Sequence, residues 1–128
     1  MAKKTPLIDA IDSSVKTLDI LISPLDGRHV ETALVRAKGR GVYIRGTMAG
    51  ARRSGKTLFT RLLQAGVAVS RAPEELAECA GKMLIVDGRR LYMLGLPFPV
   101  IGGARGQGFG VVIGDRRIVR QAGRLFEP

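Results

Sequence analysis

The chain has 128 residues, 45% hydrophobic and 25% charged, so it reads as one globular domain spanning 1–128 rather than a disordered tail. A single cysteine, Cys79, and a single histidine exclude an intramolecular disulfide framework and a Cys/His zinc cluster, and no cofactor is expected. Twenty-one Lys and Arg against 11 Asp and Glu leave a net charge of +10, which points to a polyanionic partner.

The opening MAKKTPLIDAIDSS is interrupted by Asp9 and Asp12, unlike a signal peptide or anchor. No apolar run nears the ~20 residues that span a bilayer, so a cytoplasmic protein without transmembrane insertion is expected. Thr5 and Pro6 make an N-cap and first-turn pair for a helix with Leu7, Ile8, Ile11 and Val15 at helical spacing. LDILIS (18–23) reads as a strand covered on both faces. Val30, Ala33, Leu34 and Ala37 predict a second helix that stops near Gly39 and Gly41, and VYIRGTM (42–48) predicts the next strand. A third helix from Thr57 turns Leu58, Phe59, Leu62 and Leu63 inward, ends at Gly66 and returns as the strand VAVSRA (67–72). Such β-α-β units imply right-handed crossovers and a largely parallel sheet around them.

The second half changes rhythm. Residues 73–79 read as a short helix, and KMLIVD (82–87) and LYMLG (91–95) flank Asp87-Gly88-Arg89-Arg90 as a hairpin. LPFPVIGGARGQG (96–108) reads as a loop and FGVVIG (109–114) as a last strand. Asp115 caps a final helix with Ile118, Val119, Ala122 and Leu125 inward and Arg116, Arg117, Arg120 and Arg124 outward.

Charge is unevenly spread. Between Thr32 and Pro73 no acidic residue occurs, yet Arg36, Lys38, Arg40, Arg45, Arg52, Arg53, Lys56, Arg61 and Arg71 do. Arg52, Arg53, Lys56 and Arg105 fall on predicted loops, where cations can follow a phosphate backbone. Only 5% of the residues are aromatic and none is Trp, which disfavours stacking of single-stranded bases and leaves duplex DNA or structured RNA. Tyr43 and Tyr92 read as core or sheet-face residues, and His29 as an ordinary helix-end residue.

GARRSGKT (50–57) fits G-x-x-x-x-G-K-[ST], a loop that cradles nucleotide phosphates, and MLIVD (83–87) imitates the acidic strand end that holds magnesium. Against this, the loop follows the second strand rather than the first, and the acidic strand runs into a hairpin. A basic glycine-rich loop on another fold is favoured.

AGKMLIVDGRRLYMLG (80–95) resembles the signature of the phospholipase D superfamily, H-x-K-x-x-x-x-D followed after a turn by G-[ST]-x-N. Lys82 falls on the motif lysine, Asp87 on its aspartate and Gly95 on its glycine. The segments LDILIS, HVETALVRAKGRGVYIRG, LLQAGVAV and FGVVIGDRRIV follow the order of a single-motif domain of that superfamily, so the resemblance covers about Thr5 to Phe126. It implies an α/β fold: a phospholipase D-like mixed sheet flanked by helices on both faces, in a single domain.

Ala80 stands where the family has its nucleophilic histidine, and Leu96 and Phe98 where it has serine and asparagine. Alanine can neither attack phosphorus nor carry a proton, so no catalytic residue and no phosphodiesterase activity are expected. Cys79, beside the empty position, reads as an inert packed thiol. Lys82 keeps a cation where the family positions a phosphate oxygen, and Asp87 either pairs with that lysine or simply ends its strand. Single-motif members build their site across a homodimer, so a twofold dimer with paired Lys82 side chains is implied. The favoured reading is a catalytically inactive domain that binds nucleic acid as a homodimer, through Lys82, Arg52, Arg53, Lys56, Arg45 and Arg105. The alternatives are a nucleotide-binding protein using residues 50–57 and a non-catalytic module for a protein or acidic lipid.

Overall fold

The computed structural model describes residues 6–22, 28–48, 53–71, 82–94 and 110–127, with backbone alone at Pro6, 53–57 and Leu94. The first helix, α1 (Pro6–Ser13), buries Ile8, Ala10 and Ile11. It ends where the hydroxyls of Ser13 and Ser14 donate to the carbonyls of Ala10 and Ile11, at 2.7 and 2.6 Å, competing with further helical turns. Val15, expected on the inner stripe, lies beyond that stop and is 69% exposed. The chain then enters β1 (Thr17–Ile22), whose last five residues are all buried, as a strand covered on both faces requires.

Two helix-to-strand passages share one device. Helix α2 (Arg28–Gly39) leads into β2 (Tyr43–Met48), and α3 (Arg53–Gln64) into β3 (Ala68–Arg71). Gly41 (φ 91°) and Gly66 (φ 87°) hold the left-handed conformation after each helix. Val42 N–H then donates back to Ala37 O and Val67 N–H to Leu62 O, while the glycine amides close the shorter bonds to Lys38 O and Leu63 O. This is the Schellman arrangement, and the valine after each glycine is buried in the core. "RGV" and "AGV" in the sequence are therefore helix stops as much as strand starts.

The remaining described strands are β4 (Lys82–Val86), β5 (Arg90–Leu94) and β6 (Gly110–Ile113), followed by α4 (Arg116–Gly123) and a 3-10 turn, Arg124–Phe126. The six strands form one sheet in the order β3-β2-β1-β4-β5-β6. Strands β1 to β3 are parallel, as their helical crossovers demand, while β4 to β6 run antiparallel. Alternation sends Leu18, Ile20 and Ile22 of β1 with Leu84 and Val86 of β4 to one face, under α1, α2 and α3. Leu21, Ile85 and Leu91 point to the other, where Val119, Ala122 and Phe126 close over them. Helices thus flank both faces of a mixed sheet. No described helix is long and apolar enough to cross a membrane.

Three further inward assignments are corrected. Leu63 is 48% exposed because the buried stripe of α3 runs through Leu58 and Leu62, four residues apart, and Leu63 lies a further 100° round. In α4 the stripe is Val119 and Ala122, leaving Ile118 43% exposed. The 3-10 turn carries Phe126 inward in place of Leu125, which is 41% exposed. Tyr43 sits on the sheet but is solvent-exposed, and Tyr92 packs half-buried against the larger core. The helix expected at 73–79 and the loop at 96–108 lie outside the described residues.

Candidate functional site

Strand β4 carries the two motif residues to opposite ends. Lys82 opens the strand, half-buried, and its Nζ donates to the carbonyl oxygen of Leu21 at 2.7 Å. Asp87 follows the other end at φ 56°, in the left-handed region that Asp tolerates better than most residues, next to Gly88 at φ 65°. These two positive φ values turn the chain, and Arg89 N–H closes the hairpin onto Val86 O at 3.1 Å. Asp87 does not pair with Lys82. Its Oδ1 accepts from the backbone amides of Val15, Lys16 and Thr17 at 3.0, 2.7 and 3.1 Å, while its own N–H donates to Thr17 O at 2.8 Å. Partial burial pushes this carboxyl up, but the amides of Lys16, Val15 and Thr17, with Arg90 nearby, outweigh it and hold Asp87 below the usual carboxylate range. The motif aspartate is a clasp between the hairpin and the entry to β1.

The acid-free run 32–73 is not a one-sign surface in three dimensions. Arg36 reaches Asp12 of α1 at 3.1 Å, and Arg61 of α3 reaches Glu31 of α2 at 2.8 Å. Arg40 donates to the backbone carbonyls of Ile11 and Ser14. Parallel pairing of β1 with β2 sets Arg45 directly beside Asp19, and the two form a forked pair, Nε to Oδ1 at 2.8 Å and Nη2 to Oδ2 at 2.9 Å. The Asp19 hydrogen bond raises the Arg45 pKa further. Four cations that looked available in the sequence are thereby tied to acids and carbonyls from earlier in the chain.

GARRSGKT does not form the expected loop over its length, since the backbone is helical from Arg53 onward. Arg53 and Lys56, read as loop cations, stand on α3. Asp87, offered as a magnesium-holding strand end, spends its Oδ1 on three backbone amides. Strand β4, which carries it, runs antiparallel to β1. Arg52, Arg105, Cys79, Ala80, Gly95, Leu96 and Phe98 lie outside the described residues, and His29 is an exposed second residue of α2.

What sequence reading missed is the opposite end of the sheet. There the β4–β5 turn, the start of α4 and the face of β1 and β2 enclose a concavity of about 750 Å³, with Arg45, Arg89, Arg116 and Arg120 set against Asp19 and Glu127. A second hollow of about 560 Å³ shares Arg89 with it and is lined by Lys16, Arg90 and Asp87 among others. Arg89, Arg116 and Arg120 are exposed, and no described residue engages their guanidinium groups in a hydrogen bond or ion pair. The spacing of 116 and 120 was the one available signal, because residues four apart share a helix face. That Arg45 and Arg89 join them follows only from strand pairing. Among the described residues no group of His, Cys, Asp and Glu could hold a metal ion.

Neither protein-family models nor curated proteins give a match to this sequence. Solved structures do. The chain superposes on Nuc from Salmonella typhimurium, a phospholipase D family member, with a TM-score of 0.71 and 17% identity, covering 94% of this chain and 81% of that one. NucT from Helicobacter pylori gives a TM-score of 0.62 at 12% identity, over 94% of this chain and 82% of that one. TrmBL2, an archaeal chromatin protein described as having a novel mode of DNA binding, gives 0.61 at 14% identity, over 93% of this chain but 45% of that one. At such identities the likeness is one of fold: the chain has the phospholipase D fold.

Proposed function

On that fold, we propose that this chain is a catalytically silent domain that binds nucleic acid through phosphate contacts and works as a homodimer. The observation that carries the reading is the gathering of Arg89, Arg116 and Arg120, which no described residue engages, on one end of the sheet in a chain of net charge +10. Guanidinium groups that no described residue engages are held ready for phosphate, which they grip in a forked, charge-assisted geometry. Likeness in fold to a DNA-binding chromatin protein supports the same ligand class.

Silence toward phosphodiesters rests on chemistry. Ala80 supplies no imidazole at the position where a phosphohistidine would form, and Asp87 is committed to three backbone amides. The twofold dimer rests on the single motif in the chain.

The test is fluorescence anisotropy of a labelled duplex titrated with protein at several salt concentrations, beside a cleavage assay on the same duplex. Binding that weakens steeply with salt, without cleavage, is expected. Absence of binding at low salt refutes the nucleic-acid reading, and cleavage refutes the silence. Sedimentation velocity at micromolar protein should give twice the chain mass, and a monomer would remove the dimer.

A further inference from the structure

Resting on the nucleic-acid reading above, we propose that consecutive phosphates of the nucleic-acid backbone sit in the arginine-lined concavity between the β4–β5 turn and α4, at the end of the sheet remote from Lys82.

The lining fits phosphate better than base. Among the described residues that bound it Ile85 and Val119 are the apolar members and none is aromatic, so these residues offer a base no stacking platform. Its described cations are all arginines, whose planar fork matches phosphate oxygens and stays charged at any working pH. Of the two carboxylates among the described lining residues, Asp19 is already occupied by two nitrogens of Arg45, which leaves the exposed Glu127 against Arg89, Arg116 and Arg120. The excess among the described lining residues is positive.

Position strengthens this. Arg116 and Arg120 share one face of α4, and Asp115, not an incoming anion, caps the start of that helix through the amides of Arg117 and Ile118. Arg89 rises from a turn that the Asp87 clasp fixes to the β1 entry, so two independently anchored elements present cations to one space. The rim is bare backbone: a Cβ added at Gly88 or at Gly114 meets nothing within 4 Å. At the other end of the sheet Lys82 reaches back to the carbonyl of Leu21. The phosphate seat is therefore displaced from the place where the family resemblance puts the site.

The experiment compares three variants with wild type in duplex-binding titrations, each checked for an unchanged thermal melt. Arg116→Gln/Arg120→Gln removes two charges from the cavity wall. Arg117→Gln/Arg124→Gln removes the same net charge from neighbouring positions that do not line it. Gly114→Leu keeps every charge but fills the rim, where φ does not require glycine and the added side chain has room. The expected result is at least a tenfold loss of affinity for the first and third, less than threefold for the second, and a salt slope reduced by about 2 for the first. Equal losses in both double variants would mean diffuse attraction and overturn the seat, as would Gly114→Leu binding like wild type. Wild-type protein that binds no duplex at low salt fails differently: it sinks the nucleic-acid reading itself.

Discussion

Replacing Asp87 with alanine should cost this fold about 3 kcal/mol. One carboxylate oxygen accepts three amides, at 2.7–3.1 Å, from residues some seventy positions earlier in the chain. A net value of about 1 kcal/mol per bond would give roughly 3, and access of water to the exposed Val15 and Lys16 reduces that to about 2. Alanine forced to a positive φ adds about 1 kcal/mol. Asparagine keeps an acceptor oxygen and tolerates the left-handed region, so Asp87→Asn should lose only about 1 kcal/mol, for the charge. The two variants separate in urea unfolding, with midpoints falling in that order at constant m-value. In this size range the alanine variant should melt roughly 10 °C lower. The pH dependence carries the sign. Because the folded carboxyl titrates below its unfolded value near 3.9, its contribution is full above that value and is lost as pH falls through the lower folded one. The gap between wild type and Asp87→Asn should therefore shrink on acidification below about pH 4. An alanine variant within about 0.5 kcal/mol of wild type, in the range of ordinary surface substitutions, would refute the clasp.

Other substitutions test the core and the sheet face. A Cβ at Gly46 would lie 2.7 Å from Cδ1 of buried Ile22, so Gly46→Ala should destabilise by about 1–2 kcal/mol. Adding Ile22→Val removes that methyl, and the pair should cost less than the sum of the singles in a double-mutant cycle. Thr47 is 2% exposed and its Oγ1 has no hydrogen-bond partner among the described residues, so Thr47→Val should leave stability unchanged or raise it by up to about 1 kcal/mol in thermal melts. Arg45→Ala strands buried Asp19, and because the guanidinium side is about one-third exposed the loss should be about 1–3 kcal/mol in denaturant unfolding. Asp19→Asn made together with it should recover part of that loss, since no buried charge is then left uncompensated.

The elements and their order were legible because each is marked locally. Apolar spacing marked α2, the glycine-valine steps marked two helix stops, the Asp-Gly turn marked the β4–β5 hairpin, and Asp115 marked the start of α4. The motif lysine and aspartate, read with their flanking strands, pointed to the phospholipase D fold that the superpositions show. Errors gathered where one helical step decides a face, at Leu63 and Ile118, because a residue 100° from the stripe is just as apolar in a list, and at Leu125, where the helix tightens to a 3-10 turn.

Which charges are spent was decided by the tertiary structure. Arg45 meets Asp19 only because β2 pairs with β1 in one register, and a one-residue slip would send the two to opposite faces. Arg36 and Arg61 find their acids only through the packing of α1, α2 and α3. Sequence alone determined that the chain is basic and built as β-α-β followed by a hairpin, since composition and local periodicity act over a few residues. Which of the remaining cations come together, as Arg89, Arg116 and Arg120 do, depends on strand order and pairing, and these join residues that lie far apart in the chain.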